Sequence, residues 1–469
     1  MPAKQFSLER IIVLYIPWML SILLKNDYEL SYLIAWLGSF LIFFLTLTGW
    51  VTPLPHDRPV SEQLMRPIFL VQIIFAGYMA CTSIFYFMDV LGYDNFEKLG
   101  TTLTDHNRMQ YTAQCQQYYC LGHAAFVTGI LVFMRYPVQS VYYIEKQKLA
   151  NLLMLFAIIS FPVSLIFLKL PGLSQFYYQL NTLSFIAGTL ALAFAIPLRK
   201  AKNIVICLLF YFFNFYQALV SGFKEPIIIS VLVLGIFLYP SFKKLVIVIF
   251  IPILLLLFVL LPTYNHAFRQ SAWSDDQSAE QASQQAIDAT LNAGSNDLDE
   301  SNWDFLVYRL SEIDMFIRFT QSTPKNIDFY GTTLLTQSGI ALIPRVFWPA
   351  KPSTEDLIME RVYAAGVINR ASTVSAKPAF VVDAYLSAGG YGVFLFLLIY
   401  GAVAQLISIK AESLFGGYIF GTALIFSGLF QIMWRGISFE FIINSVFWSY
   451  ITMLVIHRLL LSTHILKRI

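Results

Sequence analysis

Apolar residues in this chain come in long blocks, not in alternation. Residues 203–220, "NIVICLLFYFFNFYQALV", hold no charged side chain. A helix crossing the hydrocarbon layer of a bilayer needs about 20 such residues, whereas a barrel would show short alternating segments. Comparable blocks recur near 8–25, 30–50, 67–90, 118–134, 149–169, 179–198, 203–220, 226–241, 245–263, 386–408, 414–434 and 440–458. The pattern predicts an all-α polytopic membrane protein of about twelve transmembrane helices. Lys4 and Arg10 precede the first block, Ile11 to Leu24, as in a signal peptide. No small-residue cleavage site follows, so an uncleaved first span is expected.

One interval breaks the rhythm. It divides the chain into an N-terminal bundle of about nine spans (1–263), a long connection (264–385) and a C-terminal three-span bundle (386–469). Within the connection, 271–304 is rich in Ser, Ala, Gln and Asn and carries eight acids without Lys or Arg. That composition predicts a mobile, solvated insert. Residues 305–320, "FLVYRLSEIDMFIRFT", set Leu306, Leu310, Ile313 and Ile317 at helical spacing. They predict an amphipathic helix on the membrane surface, with Asp314 and Arg318 paired four residues apart. Residues 331–348, "GTTLLTQSGIALIPRVFW", are apolar but too short and interrupted to span, and read as re-entrant or interfacial.

Composition sharpens this picture. The 469 residues are 57% hydrophobic and 13% charged, against about 25% charged in soluble domains. Cytoplasmic loops hold an excess of Lys and Arg. With both termini inside, sixteen Lys and Arg fall in inner segments and six in short outer loops, of 31 in all. The long connection then lies outside. A net charge of +3 without a basic stripe or a recognition module gives nucleic-acid binding no support. Cys115, Cys120 and His123 match no usual zinc spacing and read as packing residues.

The spans are nearly free of charge, with His123 and Asp89 the chief ionisable candidates, so ion-coupled transport is weakly supported. Cations gather at the outer face instead: Arg345, Lys351, Arg361, Arg370 and Lys377 in one window, with Lys224 ("SGFKEP", 221–226) and Arg435 ("MWRGISFE", 433–440) in short turns. Lys224 stands before a helix start, a natural anion site, and Arg suits bidentate phosphate contact. Read singly, each is an interfacial cation or a structural ion pair. As a set on one face, they suit a membrane-embedded anion such as a lipid-linked diphosphate. In "KPAFVVDAYLSAGGYG" (377–392), Asp383 and Tyr385 fall at the outer interface. Asp383 either orients a sugar hydroxyl, acts as a base, or is an acid at a helix start facing the dipole. Gly389, Gly390 and Gly392 favour close helix packing.

The succession "YRLSEIDMFIRF", "FYGTTLLTQSGIALIPRVFWPAKP", "KPAFVVDAYLSAGGYGVFLFLLIYG" resembles the Wzy-type oligosaccharide repeat-unit polymerases. Those carry an Arg-Leu-Ser helix, a Pro-Arg…Trp…Lys-Pro loop, and an acid–x–Tyr pair with glycines entering a late span. "SGFKEPIII" resembles their Gly-x-Arg turn, with Lys224 in the Arg place. The likeness covers roughly the C-terminal half, and Asp383 stands where that pattern more often has Glu. The resemblance implies a GT-C-like membrane glycosyltransferase at the periplasmic face of a bacterial inner membrane. It implies undecaprenyl-diphosphate-linked glycans as substrates, with neither nucleotide sugar nor metal, and a chain-length regulator and a flippase as partners. It also implies catalytic parts for Asp383 and Arg345. Lys351, Arg309, Tyr385, Lys224 and Arg435 would bind substrate, beside Arg361, Arg370 and Lys377 from the cation cluster. The alternatives are an O-antigen ligase, for which the connection offers only His266 at its very start, and a non-enzymatic lipid-linked glycan flippase.

Overall fold

The computed structural model describes residues 8–99, 105–170, 172–220, 224–272, 278–372 and 375–469. Its helices are α1 (Leu8–Val13), α2 (Ile16–Leu23), α3 (Tyr28–Leu47), α4 (Leu70–Val90, with π-helical turns), α5 (His106–Phe133), α6 (Lys146–Lys169), α7 (Gln175–Ala195), α8 (Ala201–Val220) and α9 (Lys224–Ala272). The long connection holds α10 (Ala279–Asn292), α11 (Ser295–Asp304), α12 (Ile313–Ser322), α13 (Thr333–Leu342) and α14 (Thr354–Ala364). Then come α15 (Phe380–Leu414), α16 (Ile419–Leu429) and α17 (Phe439–Ser462). Among the described residues, eight helices are long and apolar enough to cross a membrane. Among the described residues, strands amount to two short antiparallel pairs, one of which ties Tyr142–Tyr143 to Lys467–Arg468. The protein is an all-α membrane protein.

Helix starts follow local chemistry. The Asp27 carboxylate accepts from Leu30 N at 3.0 Å and opens α3. Asp105 accepts from Asn107 N and Arg108 N and opens α5. Such caps satisfy amides that have no partner within the helix.

Two apparent single helices are bent double. In α9, Phe242 leaves helical geometry (φ −135°, ψ 44°) two residues after Pro240. A Cβ on Gly235 would lie 3.0 Å from the Phe250 ring, and Ile227 shares a cluster with Leu261. Neither contact exists in a straight helix rising 1.5 Å per residue. The two limbs therefore run antiparallel, as the separate blocks 226–241 and 245–263 require. The second limb continues to Ala272, past the expected edge at 263. In α15 the break falls at Ala388 and Gly389, the latter at φ +60°, ψ −140°, backbone open to glycine alone. A Cβ on Gly392 would overlap the carbonyl of Ala384, so 380–387 folds back on the limb that follows.

The core centres on α5 and this second limb of α15. A Cβ on Gly129 would overlap the Leu398 carbonyl, and one on Gly401 the Phe126 carbonyl. Small residues let the two backbones touch. Protein surrounds α5, so it carries buried polar groups that lipid would not accept: Gln116, which accepts from Ser83 Oγ, and His123, 3.2 Å from Gln72. Cys115 and Cys120 are free and buried on the same helix.

The long connection joins this core. The acidic stretch is helical where described. Ser278 and Gln281 form a capping box, and Ala282 and Ala286 bury themselves against Tyr264 and Phe268 of α9. Alanine spacing on one face supplies the contact that average polarity concealed; residues 273–277 lie outside the described set. Leu306, Leu310, Ile313 and Ile317 are all buried, and α12 packs on α5. Its start is broken from the preceding π-helical turn, Phe305–Leu310, by Glu312 in a left-handed conformation. The Asp314–Arg318 pair forms at 3.1 Å.

Candidate functional site

The 343–353 loop leaves the C-terminus of α13. The Lys351 side chain turns back under it, and Nζ donates to Ile343 O at 2.6 Å and Ala341 O at 3.2 Å. Terminal carbonyls of a helix attract a cation. Lys351 is 8% exposed, and burial, with the Arg345 charge nearby, lowers its pKa. Its ammonium therefore braces the loop from beneath. Above it, Arg345 is exposed, with one 3.4 Å bond to Pro349 O and no carboxylate in ion-pair range among the described residues. Val346, Phe347 and Trp348 beside it are exposed apolar side chains. Gly172 packs against the backbone of Arg345 and Val346 and fixes the other flank.

A second cluster seals the junction of α14, α15 and α17. Arg361 donates to both oxygens of Glu440, at 2.7 and 2.8 Å, and to Asp383 Oδ2 at 2.9 Å. Asp383 Oδ2 also accepts from Phe439 N, capping α17 from outside. Burial opposes the Arg361 charge, but the two carboxylates outweigh it and raise its pKa. All three side chains are buried. Asp383 thus touches protein on every side, so it lies too deep to meet a sugar hydroxyl. Glu440 is the partner that sequence reading missed, although an acid inside the apolar run 439–443 was a signal.

The remaining candidates disperse. Tyr385 is buried, its hydroxyl on Thr323 O at 2.8 Å and its ring among Tyr118, Phe316 and Phe329. Arg370 forms a two-pronged pair with Glu360 and lies over the Tyr363 ring. Lys377 stands 3.4 Å from Glu355 and over Phe441. Arg309 is exposed beside Arg269 on the last turn of α9. Arg435 is exposed and ends a short helical turn before Gly436. Lys224 begins α9, and its side chain lies outside the described set, as do residues 221–223. Paired acids therefore neutralise Arg361, Arg370 and Lys377, and Arg345 faces outward from its loop.

The far end of α15 carries a third charged group. Arg66 is buried and pairs with both oxygens of Asp57, at 2.8 and 2.7 Å, and with Glu412 at 2.8 Å. The Tyr136 ring covers it at 3.7 Å. Asp57 and Arg58 also line a cavity of about 680 Å³ in the 48–60 loop. Among the described residues no group of His, Cys, Asp and Glu is placed to hold a metal ion.

No curated protein and no solved structure matches the chain. Residues 16–468 match the family described as Domain of unknown function (DUF8712), and with nearly its whole length matched the chain belongs to that family.

Proposed function

We propose that this protein is a GT-C-like membrane glycosyltransferase that polymerises undecaprenyl-diphosphate-linked oligosaccharide repeat units. In this reading the chain crosses a bacterial inner membrane twelve times, with both termini cytoplasmic and the 264–385 connection in the periplasm. A flippase supplies its substrate and a chain-length regulator sets its product. One observation carries the reading. Arg345 is an exposed cation with no carboxylate partner among the described residues, set beside exposed Val346, Phe347 and Trp348 on a loop braced by Lys351. An amphiphile with an anionic head and a hydrocarbon tail fits that pairing of charge and apolar surface.

The chemistry follows from the charges. A hydroxyl at the non-reducing end of the acceptor attacks the anomeric carbon of the donor sugar. A C–O bond to the acceptor forms, the C–O bond to the diphosphate breaks, and the lipid diphosphate leaves with the electron pair. The hydroxyl proton passes to solvent or to the departing phosphate. Arg345 stabilises negative charge as it develops on the diphosphate, and a fixed cation does so without reorganisation. Lys351 is a positioning residue beneath it. Asp383 also positions: it holds Arg361 and the start of α17.

A glycan ladder tests this. The host gene is deleted and complemented with wild type, Arg345→Ala, Arg345→Lys or Lys351→Ala at matched protein levels. Deletion should leave single repeat units. Arg345→Ala should cut polymerisation roughly 100-fold, the scale of losing one charge-stabilising donor, and Arg345→Lys should restore part of it. Long lipid-linked chains that accumulate unattached would identify a ligase. Repeat units trapped on the inner leaflet would identify a flippase. An unchanged ladder in every strain would reject the reading for that glycan.

A further inference from the structure

The junction of α14, α15 and α17 is one positive charge short. Arg361, Asp383 and Glu440 are 2%, 0% and 0% exposed. The guanidinium satisfies three of the four carboxylate oxygens. The fourth, Asp383 Oδ1, is buried and meets no donor. Ser438, directly before the Phe439 amide that binds Asp383, has a buried hydroxyl that also lacks a partner. The charged and titratable groups facing the cluster are few. Arg361 comes from α14, Glu440 from α17, and the Tyr330 phenol lies within the field of Arg361 and Asp383. Lys377, just before α15, is taken by Glu355. Among the described residues, one cation faces two sealed carboxylates.

The Arg66 cluster has the same parts and no such deficit. Arg58 stands 3.9 Å from Asp57 as a second cation. Thr422 donates to the Glu412 oxygen that Arg66 leaves free. All four carboxylate oxygens there have donors.

A net charge sealed away from water is neutralised where chemistry permits. Two carboxylates held on one centre do so by sharing a proton. We propose that the two carboxylates on Arg361 hold one bound proton at neutral pH, carried by Asp383, so that the Arg361 cluster is electrically neutral. The proton comes from water and resides on Asp383 Oδ1, the oxygen without a donor. As pH rises the proton is lost, one negative charge stays buried, and the tie from α14 to α15 and α17 weakens. The outer connection is therefore fastened by an alkali-sensitive lock. This is independent of the glycan reading.

Infrared spectroscopy of the full-length protein in lipid nanodiscs tests the proposal. At neutral pH, the difference between wild type and Asp383→Asn should contain the carbonyl stretch of a protonated carboxylic acid, and that band should vanish from wild type at alkaline pH. Thermal unfolding gives a second readout. Asp383→Asn, which replaces the protonated acid by a neutral amide of the same shape, should melt close to wild type at neutral pH and lose its alkaline sensitivity, whereas Glu440→Gln, which sets an amide NH2 against the guanidinium, should melt lower. The double variant should melt well below either, because Arg361 is then uncompensated. If the band is absent in differences against both Asp383→Asn and Glu440→Gln, both carboxylates are ionised and the proposal fails. It fails equally if wild type melts alike at neutral and alkaline pH.

Discussion

Arg66 and Arg361 are each buried between two carboxylates, and they mark the two ends of one helix. From Gly392, which touches Ala384, α15 runs twenty residues to Glu412. At 1.5 Å per residue that limb is about 30 Å long, the thickness of a bilayer's hydrocarbon core. The clusters differ in their contact with water. The Arg66 group reaches a cavity through Asp57, whose side chain is 18% exposed, and has Arg58 at hand. The Arg361 group is closed on every side. Burying the same three charges therefore poses two problems. Near water a second cation balances the excess acid, and away from water a proton must.

Removing each arginine should have the largest effect. Arg361→Ala leaves two sealed carboxylates without a cation and should cost about 3–5 kcal/mol of stability. Arg66→Ala should cost less, because Asp57 can hydrate and Arg58 remains. Chemical denaturation in matched detergent measures both, and equal losses would erase the distinction. Next come the acids. Glu412→Gln should lose about 1–3 kcal/mol, the range for leaving a buried partner unsatisfied or weakened, whereas Asp383→Asn should be nearly neutral.

A pH series separates the two clusters by sign. Burial pushes the Asp57 carboxyl up, but hydrogen bonding to Arg66 outweighs it and holds the pKa below the ordinary value. A carboxyl with a depressed folded pKa contributes stability that is complete above the unfolded value, about 3.9, and is lost as pH falls through the folded one. Hydrogen exchange should therefore quicken around residues 53–66 in acid and around 354–364 in alkali. The smallest effect belongs to the tie between the 142–145 turn and the C-terminal strand. Lys148 and Lys467 hold the Glu145 carboxyl down to about 2. That contact should persist through mild acid and dissolve only near that pH. Because the pair is exposed, Lys467→Ala should leave the melting temperature unchanged.

The helices were legible because lipid and protein interior both demand apolar blocks of fixed length. The bend at Phe242 was legible from the charged interruption at Lys243 and Lys244. The hairpin inside α15 left only the signal of clustered glycines at 389–392, which fits close packing as well as a chain reversal. Neither charged cluster was legible, since each joins residues hundreds or dozens of positions apart: 57, 66 and 412 in one, 361, 383 and 440 in the other. Lys351 reads in sequence as an available cation. Only the turn of the loop shows it spent on the carbonyls of Ala341 and Ile343. The acidic stretch read as solvated by average composition, while its order rests on two alanines and a capping box.

The chain reversal at Ala388–Gly389 has a consequence for how the molecule is made. The carbonyls of Leu386 and Ser387 that it strands are met by the amides of Tyr330 and Gly331, and Arg361 waits for Asp383 and Glu440. Every one of those acceptors is synthesised after the segment that needs it. The long connection must therefore remain unfinished during translation until the last three helices are in place. Its assembly is an act of closure by the C-terminal helices, and a chain truncated before Phe439 should insert without ever completing the surface that the connection forms.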